Sequence, residues 1–317
     1  MPGLPPFGAS TPCWTRGRAN LDRCARSTSG VCRTERGSPV KIDTGTDDLL
    51  GRIDGHVAVL SFNRPERRNA LSSPMYGAFD RVLPQIERDP SVRVLLLTGE
   101  GGAFCAGGDV KGMHENNTAG GSTDGGTTPV SLEDRVAGLR SSQAAVSLAL
   151  RRLPMPVVAA LPGAAAGAGL SMALAADLRI AAERAVLVTA FANVGASGDF
   201  GTSWFLPRLV GEAKAKELMF TSPRLTAAEA ADLGIVNRVL PDEGFADAAL
   251  AFCHDLATRA PIALRYMKEN VNRALGSTLE EALDAEASAM VRTMSTADHR
   301  EAAAAFVEKR SPKFSGH

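Results

Sequence analysis

Two glycine-rich turns and one aspartate are the residues of this sequence whose types and spacing could do chemistry. Gly99 to Asp109 (GEGGAFCAGGD) and Gly163 to Gly169 (GAAAGAG) each follow an apolar run, VRVLLLT at 92–98 and PVVAAL at 156–161. Small residues at Ala106, Gly107 and Gly108 leave backbone N–H groups that a ligand oxygen can approach without a side chain intervening. The second turn opens a helix, where the dipole adds positive partial charge to the same kind of donor. Two such N–H groups aimed at one point make an oxyanion hole, which stabilises charge developing on a carbonyl oxygen. A third segment, GASGDFG at 195–201, supplies Asp199. Its carboxylate is either a proton-transfer base or the cap of a helix beginning near Thr202.

Several other chemistries fail on spacing. Gly99-Glu100-Gly101 is followed three residues later by Phe104 where a dinucleotide fingerprint needs a third glycine, and no GK[ST] phosphate loop occurs. Five cysteines lack CxxC spacing and five histidines are scattered, so neither a disulfide framework nor a zinc site is indicated, and a reducing, cytoplasmic setting is expected. Cys105 reads as packing rather than as a nucleophile, and His114 as surface. Lys+Arg 35 against Asp+Glu 35 argues against a nucleic-acid partner. No apolar run approaches the roughly 18 residues of a membrane span.

The elements that must position these residues follow from periodicity. Leu49–Asp54 and His56–Phe62 read as a hairpin turning at Asp54-Gly55. Ser73–Glu87 has helical spacing, with Pro84 as an interior breaker. The runs at 92–98 and 156–161 suit strands buried on both faces, and helices are expected from Ser131 to Leu153 and around Leu170 to Ala176. Strand, glycine turn and helix thus occur twice, which suggests an α/β architecture of repeated ββα units with both turns converging on one site. Four helices are expected at the end: Phe245–Thr258, Pro261–Leu275, Thr278–Met294 with a Thr278/Glu281 capping box, and Thr296–Lys309. Residues 1–46 hold seven Lys/Arg against three acids, with five Pro, six Gly and no periodicity. They read as a disordered basic extension, since the prolines oppose the helix of a transit peptide. The expected division is 1–46 extension, 47–244 core with the site, and 245–317 helical oligomerisation region.

Four segments carry a resemblance: FNRPERRNALS (62–72), LLLTGEGGAFCAGGDVKGM (95–113), PVVAALPGAAAGAGLSMALAADLRIAAE (156–183) and VGASGDFGTSWFLPRLVG (194–211). In this order and spacing they resemble the crotonase, or enoyl-CoA hydratase/isomerase, superfamily, over about Leu49 to Phe314. The resemblance implies a spiral of ββα repeats, a homotrimer or hexamer built with the C-terminal helices, and an acyl-CoA thioester held by two backbone N–H groups. Matched residue by residue, those donors are Gly108 and Ala168. No metal and no cofactor beyond the substrate's own coenzyme A are implied. Arg64, Arg68, Ala70 and Lys111 resemble positions lining the CoA entrance, with Ala70 offering backbone to the adenine, and Lys268 resembles a contributor across a subunit contact.

Within that family the acids decide the reaction. The two glutamates of the hydratases match Ser171 and Phe191 here, so the two-glutamate route to an activated water is closed. The branch that includes ring-epoxide isomerases of phenylacetyl-CoA degradation carries an Asp in a G-x-x-P-D-x-G-like loop, which matches Asp199, with Gly198 standing in place of Pro. The resemblance therefore implies enoyl-CoA double-bond isomerisation with Asp199 as base. A hydratase of atypical acid placement, a thioesterase, dehalogenase or ring-forming member, and a CoA-thioester-binding protein without catalysis remain the alternatives.

Overall fold

The hairpin forms where the pattern places it, one residue late at the turn. In the computed structural model, which describes residues 38–109 and 131–317, β2 (Leu49–Asp54) and β3 (Val57–Phe62) pair antiparallel with Asp54 opposite Val57. Gly55 and His56 are therefore the loop, and Gly55 supplies the positive φ of +57° that such turns need. Beyond β3 the sheet continues in parallel through β4 (Val94–Gly99), β5 (Val157–Leu161), β7 (Leu178–Ala182) and β10 (Arg238–Leu240). Three short strands, β6 (Ala165–Ala166), β8 (Val186–Val188) and β9 (Leu225–Thr226), make a second sheet.

Central strands are mostly apolar because both faces are covered. Ala58, Leu60, Leu95, Leu97 and Val157 enter the core beneath α1 (Ser73–Arg88), while Val57, Val59, Val94, Leu96 and Val158 face the helix Phe245–Ala257. α1 runs unbroken through Pro84, with Met75, Phe79, Val82, Leu83 and Ile86 buried. Burying those side chains at roughly 1.5–3 kcal/mol each outweighs the roughly 3 kcal/mol that an interior proline costs. The pattern strand, strand, helix recurs as β2, β3, α1 and again as β5, β6 and α4 (Ala168–Ala175). Between them α2 (Leu132–Gln143) passes through a π-helical turn, Ala144–Leu148, into α3 (Ala149–Arg152) and stops two residues before Pro154.

Two expected boundaries move. Val40–Ile42, assigned from sequence to the 1–46 extension, forms β1 and pairs antiparallel with Gly51–Ile53, and Thr44 behind it is buried. Three residues were too short to rise above the polar composition around them, and it is the neighbouring strand's edge that orders them. The rest of that expectation, residues 1–37, lies outside the described residues. At the other end, beyond α6 (Glu212–Thr221) and α7 (Ala227–Asp232), Phe245–Ala257 (α8) belongs to the core and not to a separate 245–317 region, since Phe245, Ala249, Cys253 and Ala257 pack on the sheet. α9 (Pro261–Ala274), α10 (Leu279–Met294) and α11 (Ala297–Glu308) follow it, the Thr278/Glu281 capping box is formed, and Met267, Val271, Leu283, Met290 and Phe306 stand exposed on them. Among the described residues no helix is long and apolar enough to cross a membrane.

Candidate active site

The two glycine turns meet because each gives the other room. A Cβ at Gly163 would stand 2.0 Å from the Gly102 carbonyl oxygen, and one at Gly169 would stand 2.3 Å from that of Cys105. Only hydrogen fits at either point. The N–H groups of Phe104 and Cys105 donate to the Ala164 carbonyl at 3.0 and 3.1 Å, and Ala166 N–H donates to the Cys105 carbonyl at 3.0 Å. The segment before α1 joins them, with Leu71 N–H donating to the Gly107 carbonyl at 2.8 Å. Gly107, at φ +87°, brings its turn so close that a Cβ there would lie 3.2 Å from the Ala168 nitrogen.

This arrangement brings Gly108 and Ala168 onto adjoining turns. Ala168 is the first residue of α4, and its N-cap Gly167 offers no side chain, so the Ala168 N–H has no partner within the helix and sits at the positive end of the dipole. Gly108 N–H has no acceptor among the described residues. Ala106 does not join them as a donor: its N–H is committed to the Arg68 carbonyl at 3.0 Å.

Asp199 is held by one oxygen. Its Oδ1 accepts from Gln143 Nε2 and from Phe200 N–H, both at 2.7 Å, while Oδ2 receives no donor among the described residues. The helix that follows, α5 (Thr202–Val210), has Gly201 as its N-cap and no side-chain cap; Asp199 contributes its main-chain carbonyl, which accepts from Thr202 N–H at 3.2 Å. The carboxylate is therefore not a helix cap. Gly198 has φ +119°, a conformation closed to proline, so the loop takes a path that the G-x-x-P-D-x-G pattern does not allow. Phe200 at φ +48° carries strain on the other side of the aspartate. Tyr76 of α1 stacks on Phe200 with centroids 5.7 Å apart, and its pKa is pushed up to about 12 by burial first, then by the Asp199 carboxylate and by Cys105. Cys105 itself is fully buried, and burial pushes its thiol up to about 12, which removes it as a nucleophile.

Ser171 and Phe191, at the positions matched to hydratase glutamates, are both buried, and Ser171 Oγ is hydrogen-bonded to Thr202 Oγ1. The expected CoA-binding residues are placed unequally. Arg64 is engaged within the protein, donating to the Ala70 carbonyl at 2.8 Å and pairing with Asp109 at 3.4 Å, so the Ala70 carbonyl already has one donor. Arg68 is exposed beside it at φ +50°. Lys111 and His114 lie outside the described residues. The Lys268 ammonium pairs with Asp177 at 2.7 Å and donates to the Met155 carbonyl at 3.0 Å, at the N-terminal end of β5. The glycine turns follow the opposite, C-terminal ends of β4 and β5, so within one chain Lys268 stands apart from them.

Three residues of the site were not singled out from sequence. Asn69, fully buried at φ +58°, donates through Nδ2 to the Glu100 and Ala103 carbonyls at 2.9 and 2.8 Å and fixes the first turn; an Asn within FNRPERRNALS is the left-handed-tolerant type that could have flagged it. Gln143 and Tyr76 carry no local signal, because their partner Asp199 is distant along the chain.

The family model for enoyl-CoA hydratase/isomerase matches residues 52–317. The chain is 38% identical over 268 residues to the 1,2-epoxyphenylacetyl-CoA isomerase of Escherichia coli, covering 84% of this chain and 98% of that one. It is 34% identical to the short-chain-enoyl-CoA hydratase of Clostridium acetobutylicum, covering 83% and 96% of the two chains. The crystal structure of an enoyl-CoA hydratase from Polaromonas superposes with a TM-score of 0.76 at 35% identity, over 84% of this chain and 99% of that one. With its stacked strand–strand–helix units and paired glycine turns, the chain belongs to the enoyl-CoA hydratase/isomerase family, the crotonase superfamily, and is an enzyme of that type acting on an acyl-CoA thioester.

Proposed function

We propose that this enzyme moves the double bond of an enoyl-CoA, with Gly108 and Ala168 N–H groups on the thioester oxygen and Asp199 carrying the proton. The observation that carries this reading is the Asp199 carboxylate, fixed through Oδ1, with an Oδ2 that receives no donor among the described residues and can accept a proton. Asp199 takes a proton from the α-carbon, the C–H electrons delocalise onto the thioester oxygen, and the two donors stabilise the enolate that forms. The same proton is returned to the γ-carbon, which shifts the double bond and leaves the composition unchanged. One base suffices for this transfer, which agrees with Ser171 and Phe191 standing where the hydratases have acids. The relative named as an isomerase supports the same branch. Coenzyme A is part of the substrate, and no further cofactor enters.

The assembly we propose is a homotrimer or hexamer, supported by the apolar side chains exposed on α9 to α11. A cytoplasmic setting is supported by the unpaired Cys105 and Cys253 thiols. The test is turnover of positional enoyl-CoA isomers in isotopically labelled water. Interconversion of double-bond position without oxygen incorporation is expected. Uptake of water oxygen into a hydroxyacyl-CoA would replace isomerisation with hydration, and binding without turnover would leave a CoA-thioester-binding protein.

A further inference from the structure

The two residues that hold the Asp199 carboxylate, Gln143 and Phe200, line a cavity of about 370 Å³ whose walls are mostly apolar but include Ser147 and Arg151. Gln143, Phe200 and Gly201 line the side nearest the carboxylate, and Ser147, Arg151 and Trp204 line it farther along. Arg151 follows Gln143 by eight residues, about 12 Å along a helix axis. Its guanidinium lies 5.5 Å from the Trp204 ring centroid, and its one ion pair among the described residues is a loose 3.9 Å approach to Asp177. Asp177 is already taken by Lys268 at 2.7 Å and by the Val157 N–H at 2.8 Å. No hydrogen bond from the Arg151 guanidinium to a described residue completes its coordination.

Charge around this end of the cavity is unbalanced. Burial pushes the Arg151 pKa down, Asp177 opposes that, and the neighbouring Arg208 adds to it; Arg179 and Lys268 are likewise held down by burial and by Arg151 while sharing Asp177. Ser147 Oγ, in the π-helical turn, is buried with no partner among the described residues. A cation with open donors, aromatic walls and an unpartnered hydroxyl fit an anionic group better than a methyl end.

We propose that this cavity takes the distal end of the acyl group and that Arg151 selects acyl-CoA thioesters whose chain ends in a carboxylate, the monothioesters of medium-length dicarboxylic acids. The inference rests on the reading of Gly108, Ala168 and Asp199 as the acyl-CoA site. Isothermal titration of the full chain with octanoyl-CoA and with the octanedioic acid monothioester of CoA tests it without requiring turnover. The carboxylated ligand is expected to bind about 10- to 100-fold more tightly, the range for a charge-assisted hydrogen bond. That advantage should disappear in Arg151→Met, return in part in Arg151→Lys, and shrink in the wild type as salt rises. Equal binding of the two ligands by the wild type, or tighter binding of octanoyl-CoA, overturns the inference alone, whether or not the variants fold. An equal loss for both ligands in Arg151→Met also overturns it, since Arg151 would then be holding structure. Binding of neither ligand overturns the acyl-CoA reading and this inference with it.

Discussion

Asp199 presents one oxygen to the described residues, and the mechanism we propose uses the other as the base, so substitution can separate those two uses. Asp199→Asn retains an oxygen for Gln143 and Phe200 N–H while removing the base. Turnover is expected to fall roughly 10²- to 10⁴-fold, the usual worth of a positioned general base, with acyl-CoA affinity and melting temperature little changed. Steady-state kinetics beside titration and thermal melts check this, and an Asp199→Asn enzyme working at the parent rate would return the base to another residue. Ala168→Pro deletes a main-chain donor and is expected to cost on the order of 10²- to 10³-fold in kcat. Asp199 was legible because its loop is a recognisable string of small residues. Gln143 was not, since a glutamine at the end of a helix looks like any solvated side chain until the fold carries it to a partner 56 positions away. The Lys268 ion pair was hidden for a related reason: a lysine on an amphipathic helix says nothing about whether Asp177 waits beneath it.

At the scale of elements, the two glycine turns behave as one part. Gly169 lies against both the carbonyl and the Cβ of Cys105, with a Cβ at Gly169 only 2.3 and 2.7 Å from them. Gly169→Ala must push α4 off the first turn, an overpacking cost of about 1–3 kcal/mol. A melting point lower by several degrees together with a reduced kcat is expected; a variant that melts and turns over like the parent would show that the turns adjust independently. The long elements were legible because burial on one or two faces writes a period into the sequence, and α1 and β3 to β5 appear within two residues of where that period puts them. Short strands such as β6, of two residues, and β9 hold too few side chains to show a period, and the extra residue of the π-helical turn leaves no mark on composition.

For the molecule as a whole, the N-terminal boundary and the subunit count are the testable quantities. β1 covers the edge of β2, and Thr44 is buried behind it, so a chain beginning at residue 47 is expected to melt below one beginning at residue 38. Differential scanning calorimetry of the two truncated chains decides it, and equal transitions would show that β1 contributes nothing. Sedimentation is expected to find three or six chains, while a monomer at micromolar concentration would leave the exposed faces of α9 to α11 without a subunit partner. In the mechanism we propose, both activating donors belong to the main chain, whereas the proton carrier is a side chain on a separate loop. An alanine scan would therefore register Asp199 and pass over the thioester-polarising half. The same division makes the reaction type readily changeable over evolutionary time: a lineage could exchange or relocate a single carboxylate and obtain a different outcome from the same enolate, with the machinery that makes the enolate inherited intact.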